Sequence, residues 1–505
     1  MISLPMSTAQ YLYALAVALP LYVMLTKWRS TKGLRSLPTV GHDLPLLSYI
    51  SAFKFASHAR EMLNEGYQKY KGEMFKIAMQ DRWLVVLTNP ETIEEVRKMP
   101  DDKLDFIHAA MDTIEARYTF SPETHNDPFV VGVVQSHLTK HLDFSFDEAH
   151  DEVMASFNDK IGNIDNDWTL VRILPLAQYV VSRASNRVFV GSQICRVPEY
   201  IDLAVRHTVE VSNTRKILGW FPGVTRHLAP LFTSDSNKAH ETCKTLIGPV
   251  IKERLRIHKE VGNNWEDKPR DVMQSVIEVC LSKGYDIDVM VATVLLLNFV
   301  SIHNTSNSFT QALFHLAGQP KYIAPLRAEI ASVLEKEDLS KNALAKMPKL
   351  DSFMRESQRV NGTGLVHVLR KTFKPVTLSN GITIPADTFI GAPLLSIQHD
   401  EELYPGSETF DPWRSTEKRD KLISSEGMKY QYVSTSPEYL AFGHGKHACP
   451  GRFFAANEIK SMLIHLIMNY DMKFENDAGR PQNAHIFMQT YPSSTAEVLF
   501  RKRQM

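Results

Sequence analysis

The spacing of apolar and polar residues predicts a chain that is mostly α-helical and carries a few short strands. Helical periodicity runs through residues 58–71 and through most of residues 145–260. Two apolar runs, Met74–Ile77 and Trp83–Leu87, flank a short polar turn and predict a β-hairpin. These elements indicate a mostly α protein with small β-sheets, of the α+β class.

One predicted helix is more apolar than the others. It begins after Asp286, a suitable N-cap, and its residues 289–300 are almost wholly apolar, which indicates a helix buried on all sides. Polar residues then follow at spacings that place them on one face: Ser301, Asn304, Thr305 and Ser308. Such a stripe either bonds back to carbonyl groups of its own helix or holds water and opens the helix locally.

The first 35 residues differ from the rest of the chain. Residues 11–25 are apolar or aromatic apart from Pro20 and, extended back to Met6, approach the roughly 20 residues that span a bilayer. Basic residues follow this run, whereas a secretory signal carries its charges before it, and basic flanks stay on the cytoplasmic side. We expect residues 1–35 to be a single-pass anchor and residues 36–505 to be one cytosolic domain. A cleaved signal peptide is the alternative.

Composition narrows the classes of partner and compartment. The chain has 505 residues, is 44% hydrophobic and has a formal net charge of zero, so it forms a large core and gives no reason to expect nucleic acid. Four cysteines, Cys195, Cys243, Cys280 and Cys449, are too few and too scattered for a disulfide framework or a zinc cluster. A reducing compartment fits this usage.

The strongest chemical signal is the stretch AFGHGKHACPGRFF at residues 441–454. A helical apolar pattern starts directly after it, and Pro450 suits a first helical turn, so we expect Cys449 at a helix N-terminus. Free N–H groups and the positive dipole end stabilise a thiolate there, and the glycines allow the backbone to approach a flat partner. A lone cysteine is otherwise more often buried and unreactive, so the surrounding pattern must decide between the two interpretations.

The pattern FGxGxHxCxG at residues 442–451 resembles the haem-binding loop of the cytochrome P450 family. The resemblance implies the cytochrome P450 fold, haem as cofactor, and Cys449 as the axial thiolate ligand of the iron, which favours O–O cleavage. It also implies that Phe442 belongs to the haem-binding loop and that Arg370 and His447 contact the haem propionates.

The polar stripe of the long helix resembles another family motif. Residues 301–306 are similar to the part of the family's central helix that carries a small residue, an acid or amide, and a threonine. The resemblance implies that Thr305 assists proton delivery during oxygen activation. Asn304 stands where an acid is usual in the family.

Two further segments resemble a structural motif of the same family. Glu356 and Arg359 lie three residues apart on a predicted helix, which alone is typical of a solvated surface pair. The segment FDPWR at residues 410–414 is similar to the one whose arginine joins that pair. By resemblance, Glu356, Arg359 and Arg414 form a buried charge network with a structural role.

The resemblance also implies which residues line the substrate pocket. The candidates lie in the irregular region before residue 130, on the long helix, before the Asn380-Gly381 turn and near the C-terminus: Phe106, Ile302, Val366, His367, Val368 and Phe487.

The function implied by the resemblance is that of a membrane-bound haem-thiolate monooxygenase of the endoplasmic reticulum. Electrons are expected from NADPH through NADPH–cytochrome P450 reductase, with cytochrome b5 as a further donor, and the substrate is an apolar small molecule. The wording of the cysteine loop and of residues 302–306 resembles fungal, kaurene-oxidase-like members that oxidise terpenoids. The alternatives are a non-oxygenating rearrangement or dehydration on the same haem, and a non-catalytic membrane protein that binds haem or lipid.

Overall fold

The structure is a computed structural model that describes residue 25 and residues 33–44, 46–140, 142–221, 234–420, 427–477 and 479–504. The run predicted to be a membrane anchor lies, apart from residue 25, outside the described residues before residue 33. The fold described below is that of the remaining chain.

Helices dominate the described residues. In chain order they are α1 Ser48–Lys69, α2 Pro90–Lys98, α3 Phe106–Thr113, α4 Ala116–Thr119, α5 Pro122–Asn126, α6 Val130–Lys140, α7 Leu142–Ile161, α8 Ile173–Phe189, α9 Pro198–Leu218, α10 Ser234–Val261, α11 Val272–Lys283, α12 Ile287–Gly318, α13 Ile323–Leu334, α14 Lys341–Ala345, α15 Pro348–Val360, α16 Leu394–Gln398, α17 Arg414–Asp420 and α18 Arg452–Asn469.

The strands form small sheets beside the helices. They are β1 Thr39–Val40, β2 Met74–Ala78, β3 Trp83–Leu87, β4 Leu104–Asp105, β5 Thr169–Arg172, β6 Val366–Thr372, β7 Val376–Thr377, β8 Thr383–Ile384, β9 Phe389–Pro393, β10 Tyr470–Lys473, β11 Ala484–Ile486, β12 Gln489–Tyr491 and β13 Glu497–Lys502. The largest sheet has the order β1-β2-β3-β9-β6-β4. Its β2–β3 pair is the antiparallel hairpin that the sequence predicts, with Phe75 opposite Val86.

The central helix is α12, which confirms the long apolar helix predicted from the sequence. The side chain of Asp286 caps it by accepting hydrogen bonds from the backbone N–H groups of Asp288 and Val289. Among the described residues, α12 alone has the length and apolar composition to cross a membrane, and 61% of its most apolar window is buried inside the protein. Its two halves pack into two hydrophobic clusters formed with the surrounding helices, so α12 is the core element of the helical layer.

Two stretches differ from the sequence-based expectation. Helix α1 begins at Ser48, ten residues before the predicted start, and changes direction at His58, where φ is −130° and ψ is 35°. The buried positions keep helical spacing through the kink, as at Phe55, Ala59 and Met62. The first half also exposes Ile50 and Phe53, so its apolar residues do not form the one-sided pattern that predicts a helix. The irregular stretch around residues 102–130 consists of short helices, two of which are capped by the side chains of Asp105 and Ser121.

Candidate active site

The cysteine loop turns tightly back on itself just before α18. The backbone N–H of Cys449 donates to the carbonyl of Phe442 over 2.8 Å, and Gly443 and Gly445 have φ of 70° and 77°. A Cβ atom at Gly445 would lie 2.4 Å from the side chain of Arg97 on α2. Glycine is therefore required here both for the backbone conformation and for the contact with α2.

The thiol of Cys449 lies at the N-terminus of α18, as the sequence predicts. Burial raises its pKa, whereas hydrogen bonds from the backbone N–H groups of Gly451 and Arg452 and the nearby Arg452 guanidinium lower it. These N–H groups are the ones that a helix start leaves unpaired, and they stabilise negative charge on sulfur. The loop thus presents a half-buried sulfur ready to bind a metal as thiolate.

The loop is fixed from two sides by side chains of other elements. Phe442 packs edge-on against Tyr432, with ring centroids 5.2 Å apart. On the other side, Glu94 of α2 contacts Nε2 of His444 over 2.6 Å and forms an ion pair with Arg97. Hydrogen bonding from Arg97 lowers the pKa of Glu94, so the carboxylate stays charged. The position of Cys449 is therefore set by packing and by charge together.

A buried arginine lies close to the loop. Arg370 is 2% exposed, and one of its terminal nitrogens donates to the carbonyl of Leu369 over 2.8 Å. The other terminal nitrogen is buried and has no hydrogen-bond partner among the described residues. The guanidinium lies 5.6 Å from the ring of Phe106, which in turn lies 5.7 Å from the ring of His447. Burial lowers the pKa of Arg370 to about 10 because the buried charge is poorly solvated. An anion bound to the unpaired nitrogen would stabilise this charge.

His447 already has an anionic partner. Its Nε2 lies 2.7 Å from a carboxylate oxygen of Asp101, which also accepts from Lys446 over 2.8 Å. Burial lowers the pKa of His447, while the hydrogen bond to Asp101 raises it. Arg370 and His447 are the two groups predicted to bind propionates. Arg370 has a terminal nitrogen without a hydrogen-bond partner in the part of the chain described here, whereas His447 already contacts Asp101.

The polar face of α12 divides into two kinds of residue. Asn304 donates to the carbonyl of Val300 over 2.9 Å, and Ser308 donates to that of Asn304 over 2.9 Å. These side chains, like Ser301, bond back to their own helix. The hydroxyl of Thr305, a residue only 5% exposed, forms no hydrogen bond within the described residues. Thr305 is therefore the member of the stripe with a hydroxyl free for another partner.

The three residues of the predicted charge network meet. Glu356, 2% exposed, accepts from Nε and Nη2 of Arg359 over 2.9 and 2.8 Å and from Nε of Arg414 over 3.2 Å. Arg359 is 1% exposed and also donates to the carbonyl of Gln398 over 2.6 Å. This carboxylate and both guanidiniums form one cluster that ties α15 to the first residue of α17.

Several of the predicted pocket residues are buried or hydrogen-bonded in the structure. Ile302 is fully buried in the helical core because it is rotated by about 200° from Asn304 along α12, which puts it on the opposite face. Val368 packs in the core of the sheet, and His367 shares a hydrogen bond of 2.7 Å with the carbonyl of Leu440. Burial lowers the pKa of His367 to about 4, so the ring is neutral.

Other apolar residues lie on or near the exposed part of α12 before Asn304. Val300, one turn before Asn304, is 43% exposed, and the ring of Phe299 lies 5.7 Å from that of Phe120. Phe120 follows α4, in the irregular stretch, where the sequence had no periodicity that could single it out. Val300 could have been recognised from its spacing of four to Asn304.

The chemistry of these groups indicates one class of protein. A cysteine sulfur that receives backbone N–H groups would serve as a soft thiolate ligand for iron, and Arg370 offers a buried cation to the carboxylate of a flat cofactor approached by glycine backbone. The fold and the site together define a haem-thiolate protein.

Comparison with known proteins gives the family. Residues 38–500 match the family model described as Cytochrome P450. The chain belongs to the cytochrome P450 family, and it is accordingly a monooxygenase, an oxidoreductase with haem as cofactor. As is typical for eukaryotic members, its electrons come from NADPH through a reductase.

The similar proteins include fungal enzymes over nearly their whole length. The chain is 41% identical to Cytochrome P450 monooxygenase 151 of Postia placenta over 98% of both chains, and 34% identical to Cytochrome P450 monooxygenase CYP512U6 of Ganoderma lucidum over 96% of this chain and 95% of the relative. A crystal structure of a cytochrome P450 matches with a TM-score of 0.67 at 18% identity, over 92% of this chain and 99% of the other. That likeness shows the fold.

Proposed function

We propose that this monooxygenase hydroxylates an apolar terpenoid in fungal secondary metabolism. The observation that carries the oxygenating role is the hydroxyl of Thr305 on the polar face of α12, which forms no hydrogen bond within the described residues. Rings of Phe120 and Phe299 near this face favour an apolar substrate. The fungal relatives support the biological setting.

The residues of the site have separate roles in this proposal. Bound haem supplies the iron on which O₂ is reduced. Cys449 binds the iron through its thiolate, and Arg370 binds a propionate through the nitrogen that has no partner among the described residues. Thr305 holds a proton at its hydroxyl next to the reacting centre without adding charge to an apolar space. Glu356, Arg359 and Arg414 keep the loop in place.

The oxygenating role competes with rearrangement or dehydration on the same haem. The favouring observation for the second role is Asn304, an amide that bonds to Val300 where an acid would serve proton transfer better. Turnover without NADPH would identify the rearranging enzyme. Oxygenation predicts that product formation stops when NADPH or NADPH–cytochrome P450 reductase is omitted, and that cytochrome b5 only modulates the rate.

We also propose that the protein is bound to the endoplasmic reticulum membrane by residues 1–35, with its catalytic domain in the cytosol. An apolar surface supports this: Phe53 on α1 is 70% exposed, and its ring lies 5.9 Å from that of Trp220, which follows α9. Leu44, Leu46 and Ile50 are exposed nearby in the chain. Aromatic and aliphatic side chains grouped in this way suit the interface of a lipid bilayer.

The test uses the full chain co-expressed with a fungal reductase and with the terpene synthases of candidate biosynthetic clusters. Wild-type protein should give the red-shifted Soret band of the reduced CO complex and oxidised products that depend on NADPH. Cys449→Ala should lose both. If this variant keeps the red-shifted band of the wild type, the assignment of the ligand is refuted. Products that form without NADPH would refute oxygenation.

A further inference from the structure

A second arginine, on α9, forms no ion pair within the described residues. Arg215, near the C-terminal end of α9, is half-buried and forms no ion pair or hydrogen bond through its side chain within the described residues. Burial lowers its pKa, and Tyr491, Glu115 and Asp81 raise it from a distance without pairing. Three other buried arginines pair with a carboxylate, Arg183 with Glu152, Arg254 with Asp271 and Arg359 with Glu356. Buried Arg355 instead donates to the backbone carbonyls of Gln431 and Ser434.

Helix α9 connects this guanidinium to α12. Near its middle, α9 contacts α12 through the carbonyl of Val205, which lies 3.3 Å from Nε2 of His303. Ten residues later, or roughly 15 Å along the helix axis, Arg215 lies 5.4 Å from the ring of Phe487. Helix α9 therefore spans the distance from α12 to the turn between β11 and β12.

That turn is joined to the strand that leads to the cysteine loop. The backbone N–H of Leu365 donates to the carbonyl of Met488 over 2.8 Å, and β6 continues from Val366 to Arg370. Strand β6 therefore links the neighbourhood of Phe487, which Arg215 contacts, to Arg370 near the cysteine loop. A substrate that extends along β6 from the cysteine loop would reach Arg215 with its far end.

The immediate surroundings of Arg215 suit a carboxylate. The ring of Phe487 lies 5.4 Å from the guanidinium. Ser212, one turn before Arg215 on α9, shares a hydrogen bond with the hydroxyl of Tyr491 at the end of β12. A guanidinium is planar and binds a carboxylate through two parallel N–H donors, and apolar surroundings strengthen that pairing. The ring of Phe487 shields one face of such a pair from water.

We propose that Arg215 is a specificity-determining residue that binds a carboxylate of the substrate, so that the enzyme acts on apolar acids held by the end remote from Cys449. The inference rests on the proposed function and narrows its substrate class from apolar molecules to those that carry one carboxylate. It also explains why a cation with no carboxylate of its own is kept among aromatic side chains.

The test uses probes that bind whatever the natural substrate is. An imidazole ligates haem iron, so a series of ω-(imidazol-1-yl)alkanoic acids of increasing chain length presents a carboxylate at increasing distance from Cys449. The methyl esters are the uncharged controls. Affinity is read from the Soret difference spectrum of the holoenzyme.

At the chain length that reaches Arg215, the acid should bind about tenfold to a hundredfold more tightly than its ester. Arg215→Gln should lose this preference while binding the esters as the wild type does, which shows that it is folded. Arg215→Lys keeps the charge but not the paired donors, and should retain part of the preference. Arg206→Gln, an exposed position on the same helix, should behave as the wild type.

Equal affinities for acid and ester at every chain length in the wild type would overturn the proposal, as would a preference that survives Arg215→Gln. Failure of the proposed function gives a different result. In that case products form without NADPH, or the reduced CO band is not red-shifted, whatever the preference between acids and esters.

Discussion

Replacement of Glu356 by alanine provides the sharpest test of the charge network. The carboxylate accepts hydrogen bonds from Nε and Nη2 of Arg359, from Nε of Arg414 and from the backbone N–H of Asp411. Without Glu356, Arg359 keeps the carbonyls of Gln398 and Thr409 as acceptors. What the guanidinium of Arg359 loses is the negative charge that balances its own. Removing one partner of a buried ion pair costs about 3–5 kcal/mol, a large share of the ~5–15 kcal/mol by which domains are stable.

A matched control lies on α10. Glu253 and Arg256 have the same spacing of three residues and the same two contacts, at 2.9 and 2.7 Å, but both side chains are 55% exposed. Solvent screens such a pair, so Glu253→Ala should leave stability almost unchanged. The two glutamates thus contact their arginine in nearly the same geometry. They differ in burial and in the further contacts of Glu356 with Arg414 and Asp411.

The assay measures holoprotein yield from the reduced CO spectrum and the urea midpoint of haem loss. We expect Glu356→Ala to give little holoprotein and a midpoint well below that of the wild type, whereas Glu253→Ala matches the wild type. If Glu356→Ala loads haem fully and unfolds at the midpoint of Glu253→Ala, the network is not structural and the reasoning from burial fails.

Further predictions follow from three other regions. Thr305→Val should fold, bind haem and consume NADPH but release more peroxide per product; unchanged coupling would show that its hydroxyl has no role in proton delivery. Burial raises the pKa of Glu458 from 4.5 to about 8, so this group stabilises the fold fully below pH 4.5 and loses that contribution as the pH rises through about 8. Glu458→Gln, which retains an acceptor for the hydroxyl of Ser185, should therefore be more stable than the wild type to urea at pH 8 and not at pH 5; equal stability at pH 8 would contradict the raised pKa. Deletion of residues 1–35 should release protein from salt-washed membranes in part, with the exposed Phe53 surface retaining the rest; a full-length chain that is soluble would refute the anchor.

Much of the architecture was predictable because its signals are local. The caps of α2 and α12, the β2–β3 hairpin and the helix that starts after Cys449 each depend on residues within a few positions of one another. The FGxGxHxCxG loop combines turn-forming glycines with a thiol at a helix start, so the sequence alone indicated both its shape and its chemistry. The first half of α1 was missed because apolar Ile50 and Phe53 are exposed there, so the contrast between its two faces is weak.

The partners of charged side chains were decided by the tertiary structure. His447 meets Asp101 across 346 positions of sequence, whereas a terminal nitrogen of Arg370 is left without a hydrogen-bond partner among the described residues. Arg215 and Phe487 are brought together by the packing of α9 against the β11–β12 turn, and the inward position of Ile302 depends on which face of α12 meets α8. Periodicity determines that a helix has a buried face and an accessible one. Which partner covers each face, and whether a buried charge finds its counterion, is settled only when distant segments pack.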